Sequence, residues 1–165
     1  PFLGKSFATS VSAWVTPMAA LEAAHVPLPG QDPPPLPYLQ GSADELFGLD
    51  VRYEVRVNGT VAATPSHADM YWSPTQMLAH LTVNGASLRD GDLFGSGTIS
   101  GPTNRSRGSL LELTWNATQP IALDDGSTRG FLEDGDTVTM TAWAPGPDGA
   151  RVGVSEVTGT IRPAL

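Results

Sequence analysis

The sequence predicts an α+β domain that is mainly β, with mixed or antiparallel sheets and one main helix near residues 73–83. Three observations carry this. From Leu49 to Asn58 apolar and polar residues alternate, with Leu49, Val51, Tyr53, Val55 and Val57 on one face, the spacing of a half-buried antiparallel strand. The 165 residues hold 18 Gly and 15 Pro, which punctuate about eight short extended runs. Only the segment after Ser73 carries helical spacing together with helical caps.

Each element has its own signal. Val11–Thr16 reads as extended, and Pro17 could open one or two helical turns as their first residue. The segment VPLPGQDPPPLPYLQGSAD, 26–44, must be extended or polyproline-like. It is either a linker or an ordered strap, and the apolar residues Leu36, Tyr38 and Leu39 among the prolines favour the strap. Asn58-Gly59 is a type I′ hairpin signal, and Thr60–Thr64 starts the return strand. Ser73 is an N-cap, Pro74 the first helical residue, Gln76 closes a capping box, and Asn84-Gly85 ends the helix. His80 borders the apolar stripe of Met77, Leu78 and Leu81 and reads as a hydrogen-bonded structural histidine. Glu133-Asp134-Gly135-Asp136 reads as a solvated acidic turn, too short a ladder for a calcium loop. Val138, Met140 and Ala142 form another alternating strand, and Val152–Ile161 returns after a Pro/Gly loop.

Composition excludes several functions. Seventeen acidic residues against nine basic give a net charge of −8, which argues against nucleic acid, where affinity comes from clustered Lys and Arg. Arg105 and Arg107 are a small isolated basic pair. No apolar run approaches the ~20 residues of a membrane helix. There is no cysteine, so disulfides and thiol nucleophiles are absent, in keeping with a cytoplasmic location. His25 and His67 have no neighbours at metal-ligand spacing. The opening Pro1-Phe2-Leu3 reads as a fragment or a processed chain.

The chemistry concentrates in Gly91–Trp115, GDLFGSGTISGPTNRSRGSLLELTW. Dense glycines let the backbone take positive φ or approach a ligand closely. Leu111, Leu113 and Trp115 alternate with Leu110, Glu112 and Thr114, which reads as a strand with Glu112 on the face opposite Leu111, Leu113 and Trp115. That carboxylate faces either water or a site. Lys5, flanked by apolar residues, is either a surface anchor with its head in water or a site residue.

Several longer motifs occur in one order: PFLGKSFATSVSAWVTPM (1–18), PPLPYL (34–39), YWSPTQMLAHLTVNG (71–85), LRDGDLFGSGTISGP (88–102), GSLLELTW (108–115), FLEDGD (131–136) and VTGTIRPAL (157–165). With these motifs the chain resembles the C-terminal part of the fumarylacetoacetase family, the fumarylacetoacetate hydrolases, over nearly its whole length. The resemblance implies a β-roll of that type across residues 1–165. It implies hydrolysis of a carbon–carbon bond in 4-fumarylacetoacetate to fumarate and acetoacetate, in tyrosine and phenylalanine catabolism. It implies a homodimer with the site near the interface, and a divalent metal, Mg²⁺ or Ca²⁺. In that family a His oriented by a Glu activates water, and a Lys helps to stabilise the oxyanion. By position, Glu112 matches the orienting Glu, Lys5 the Lys beside metal and oxyanion, Thr9 the Thr at the magnesium site, and Thr98 a substrate-binding Thr. Lys5 and Thr9 would act on a metal through water or hydrogen bonds, since an ammonium has no lone pair to give.

The family's catalytic His and metal carboxylates match nothing here and are expected upstream of Pro1. The 165 residues are therefore expected to be an incomplete catalytic domain, inactive alone. The alternatives are another superfamily activity, such as acylpyruvate hydrolysis, or a non-catalytic dimerisation or binding module.

Overall fold

The computed structural model describes residues 7–164. Among them are eight strands, and every ladder is antiparallel, in keeping with a mainly β, α+β domain. β1 (His25–Pro27) pairs with β2 (Phe47–Leu49). The hairpin of β3 (Arg52–Val57) and β4 (Thr60–Ala63) turns at Asn58 and Gly59, with φ of 50° and 86°, the left-handed pair that a type I′ turn requires. β5 (Ile121–Ala122) and β6 (Thr128–Arg129) form a small ribbon. β7 (Thr137–Pro145) and β8 (Arg151–Thr160) complete a four-stranded sheet in the order β4-β3-β7-β8.

The alternation that reads as one strand from Leu49 to Val57 is divided between two sheets. The Asp50 N–H donates to Ala24 O at 2.8 Å and the Val51 N–H to Leu49 O at 2.8 Å, so the backbone leaves one ladder before entering the next. The facing survives the break. Register puts Tyr53, Val55 and Val57 opposite Ala142, Met140 and Val138. One end of this apolar face is closed by a 3₁₀ stretch, Met18–Ala24, preceded by Pro17. There Leu21, Ala24, Leu49, Val51 and Ala144 are buried, and Tyr53, Ala142 and Val154 pack on them.

The main helix, α1 (Pro74–Thr82), starts as its sequence specifies. Ser73 Oγ accepts the Gln76 N–H at 3.0 Å, and Gln76 Oε1 accepts the Ser73 N–H at 3.0 Å. The proline-rich segment is a strap docked on α1. Leu39 is buried, and its carbonyl accepts Gln76 Nε2 at 2.8 Å. Tyr38 Oη lies 2.9 Å from His80 Nδ1, so His80 is hydrogen-bonded as expected. Leu36 is exposed and anchors nothing.

The expected strand at Leu110–Trp115 is instead a short helix, α2 (Leu110–Leu113). Ser109 takes an extended conformation and its Oγ accepts the Glu112 N–H at 3.3 Å, an N-cap that starts a helical turn. Leu and Glu are good helix formers, so local propensity agrees with the cap against the two-residue alternation. Trp115, Asn116 and Ala117 then take φ of 47°, 55° and 64° and end the helix in left-handed backbone. The buried Thr114 Oγ1 holds that reversal by accepting the Ala117 N–H at 2.9 Å.

The acidic turn is also not simply solvated. Asp136 is 2% exposed. Its carboxylate receives Arg129 Nε at 2.8 Å, Arg129 Nη2 at 3.0 Å, Asn58 Nδ2 at 2.7 Å and the Glu133 N–H at 2.8 Å. Arg129 and these other donors hold the carboxyl far below the usual carboxylate range despite its burial.

Candidate active site

The loop from Gly101 to Gly108 is pinned to the sheet and brings two polar segments together. The Thr64 N–H donates to Arg105 O at 2.6 Å and the Gly101 N–H to Ser106 O at 2.8 Å. Gly101 lies against the Asp69 carboxylate and Ser106 Oγ, and a Cβ there would clash with both. Gly108 lies against the Ile99 carbonyl and the Thr98 methyl in the same way. Only glycine permits that approach at Gly108, and the approach sets Thr98–Ser100 against the start of α2.

Glu112 sits at this junction, half-buried on α2. Its Oε2 receives the Ser100 hydroxyl at 2.7 Å and the Ser109 hydroxyl at 2.9 Å. The hydrogen bond from Ser100 is the main cause of a carboxyl pKa below the usual range, with Ser109 and the charge of Arg107 acting in the same direction. Glu112 is therefore a carboxylate at neutral pH and a hydrogen-bond acceptor only. Glu112 lies on a helix rather than the expected strand, and Thr98 is exposed on an irregular loop two residues before Ser100, which bonds Glu112.

The hydrophobic side of α2 faces the sheet. Leu110 and Leu113, with Val55, Val57, Val138 and Met140, line an open apolar cavity of about 370 Å³. It continues the same sheet face that Met18–Ala24 closes at its other end. Arg107 and Ser109 are the polar side chains of the cavity lining, and Glu112, between Leu111 and Leu113, does not line it.

Other expected site residues are placed differently. Thr9 is exposed in a segment whose neighbour Ser10 runs beside Gly159 of β8. No hydrogen bond joins Thr9 to Glu112 or Thr98 among the described residues. Lys5 lies outside the described residues. None of the three histidines serves Glu112: His25 stacks on Phe47 with ring centroids 3.8 Å apart, His67 is buried near β2, and His80 is bonded to Tyr38.

The residues described do not fit a divalent cation by themselves. Among them no three His, Cys, Asp or Glu side chains are grouped as a metal site, and Thr9 offers one neutral hydroxyl. A magnesium or calcium ion would need carboxylates from outside this set. Also among them, no helix is long and apolar enough to cross a membrane.

Sequence reasoning missed Ser100, Gly108 and Ser109. The spelling Ser109-Leu-Leu-Glu112 is a helix-start signal that could have found Ser109. Ser100 carries no local signal, because its role depends on a loop contact across 12 positions.

Comparison with known proteins agrees with the motif order. The family model described as "Fumarylacetoacetate (FAA) hydrolase C-terminal" matches residues 1–161. A fumarylacetoacetase of Homo sapiens is 50% identical over 171 aligned positions, covering 100% of this chain and 40% of the relative. One from Arabidopsis thaliana is 46% identical, covering 99% and 39%, and one from Caenorhabditis elegans is 41% identical, covering 99% and 40%. The chain spans about two fifths of the length of the relatives it matches. With this match along nearly the whole chain, whose Glu112 carboxylate is held by Ser100 and Ser109, the chain belongs to the fumarylacetoacetate hydrolase C-terminal family.

Proposed function

We propose that these residues supply the carboxylate wall of a fumarylacetoacetate hydrolase, which cleaves 4-fumarylacetoacetate with water into fumarate and acetoacetate. The observation that carries this is Glu112: a carboxylate with one oxygen tied by two serines, on the short helix whose leucines line an apolar cavity. The free oxygen can accept the N–H of an imidazole contributed from beyond these residues. That fixes the imidazole's tautomer and supports the cation formed when it takes a proton from water. The hydroxide attacks the carbonyl, the carbon–carbon bond breaks, and its electron pair leaves with the acetoacetate fragment, which is then protonated. Thr98, exposed two residues before Ser100, is assigned to a substrate oxygen by the family resemblance. Lys5 is assigned to oxyanion stabilisation, and Lys5 and Thr9 to the surroundings of a magnesium or calcium ion, by the family resemblance.

The finer architecture, a β-roll of the fumarylacetoacetase type forming a cytoplasmic homodimer, belongs to the same proposal. The relatives compared share one name, which does not favour acylpyruvate hydrolysis. The test is hydrolysis of fumarylacetoacetate by the full-length protein, with Glu112→Gln alongside. The amide keeps the shape but loses the charge, so turnover should slow by about 100-fold or more, the scale of general acid–base contributions. Undiminished turnover by Glu112→Gln would falsify the orienting role. Turnover of acylpyruvate in preference would move the protein to the other activity.

A further inference from the structure

We propose that Ser100 and Ser109 are positioning residues that fix which oxygen of Glu112 serves the catalytic base. The inference rests on the orienting role of Glu112 proposed above and adds the groups that hold it. Both hydroxyls converge on Oε2, at 2.7 Å from Ser100 and 2.9 Å from Ser109. Their direction is set by their other partners. Ser100 Oγ accepts the Gly108 N–H at 3.0 Å, and Ser109 Oγ accepts the Glu112 N–H at 3.3 Å. With an N–H donor on each oxygen, each hydroxyl's single proton is left for the carboxylate. Two charge-assisted hydrogen bonds then fall on one oxygen, and the Gly108 N–H lies close to the same carboxylate.

The two serines come from different segments. Ser109 is the N-cap of α2, whereas Ser100 stands two residues after Thr98 on the facing loop. Rotating the Glu112 side chain would break both bonds together, so the carboxylate is locked against helix and loop at once. The lock also ties the loop that carries Thr98 to the group that orients the base. Loss of either hydroxyl frees the carboxylate to turn Oε1 away, which lowers the rate of water activation without removing a substrate contact.

The experiment uses the full-length protein and fumarylacetoacetate, with Ser100→Ala, Ser109→Ala, Ser100→Thr, Glu112→Gln and the double variant Ser100→Ala/Glu112→Gln. We expect each alanine variant to lose about tenfold in kcat, the scale of one hydrogen bond to a charged group, with KM within about twofold. Ser100→Thr keeps the hydroxyl and should recover most of the lost rate. In the Glu112→Gln background, Ser100→Ala should cost little more, because the serine acts only through the carboxylate. An unchanged kcat in both alanine variants overturns the inference, as does the same tenfold loss in the Glu112→Gln background. If Glu112→Gln itself keeps full activity, the orienting role fails first, and that outcome is separate from a failure of the serines.

Discussion

At the scale of single residues, hydrogen bonding sets the behaviour of one ionisable group and burial that of another. Glu112 is kept charged by serine hydroxyls, and this suits an acceptor that must not compete for the proton on its partner. His67 is the opposite case. It is 8% exposed, and its Nδ1 has no hydrogen-bond partner among the described residues. Burial pushes its pKa below the ordinary histidine value. The unfolded chain then takes a proton below about pH 6.5 that the folded ring resists. The unfolded state binds more protons in that window, so stability rises with pH through it and is flat above. We expect the urea midpoint of the protein to fall as pH is lowered from 7 to 5, and His67→Leu to fall less steeply. Parallel pH dependences in the two proteins would contradict this.

At the scale of elements, loops and caps decide the site. α1 was legible because Ser73, Pro74 and Gln76 stand together and each names a helix start. α2 carries a similar signal in Ser109 and Glu112, but two-residue alternation of Leu and polar residues masks it. In so short a segment the cap decides, since one side chain closes the only turn there is. Gly108 then matters for space and not for a turn: a Cβ would meet the Ile99 carbonyl and the Thr98 methyl. Gly108→Ala should push the Thr98–Ser100 segment off α2. Overpacking of this kind costs roughly 1–3 kcal/mol. A displacement of about 1 Å at the site can cost as much as 100-fold in rate. We therefore expect kcat/KM to drop at least tenfold with only a modest loss in thermal midpoint. An active Gly108→Ala protein would show that the two loops need not touch.

At the scale of the whole molecule, Asp136 joins separate parts. Its partners are Asn58 in the β3–β4 turn, Arg129 in β6 and the backbone of Glu133, and it stands one residue before β7. Asp136→Ala would leave the Arg129 guanidinium and the Asn58 amide without their acceptor. Removing one member of a buried ion pair costs on the order of 3 kcal/mol. For a domain of this size that is a fall of about 6–12 °C in Tm, to be read by calorimetry. A shift under about 2 °C would mean that water replaces the carboxylate. The same scale shows the sheet's apolar face closed at one end by Met18–Ala24 and open at the other beneath α2. The open end lies beneath the helix that carries Glu112.

What the sequence by itself determined is local. Period-two patterning marked the faces of β3 and β7, Asn58-Gly59 marked the hairpin, and Ser73 with Gln76 marked α1, because each signal is complete within a few adjacent residues. The order of its longer motifs also placed the chain in its family. Only the tertiary structure decided that the Leu49–Val57 run divides between two sheets, that Asp136 turns inward, and that Ser100 reaches Glu112. The reason is range. A hydrogen bond across 12 or 78 positions leaves no pattern in either segment alone, and its partners are known only once loop and sheet are packed together.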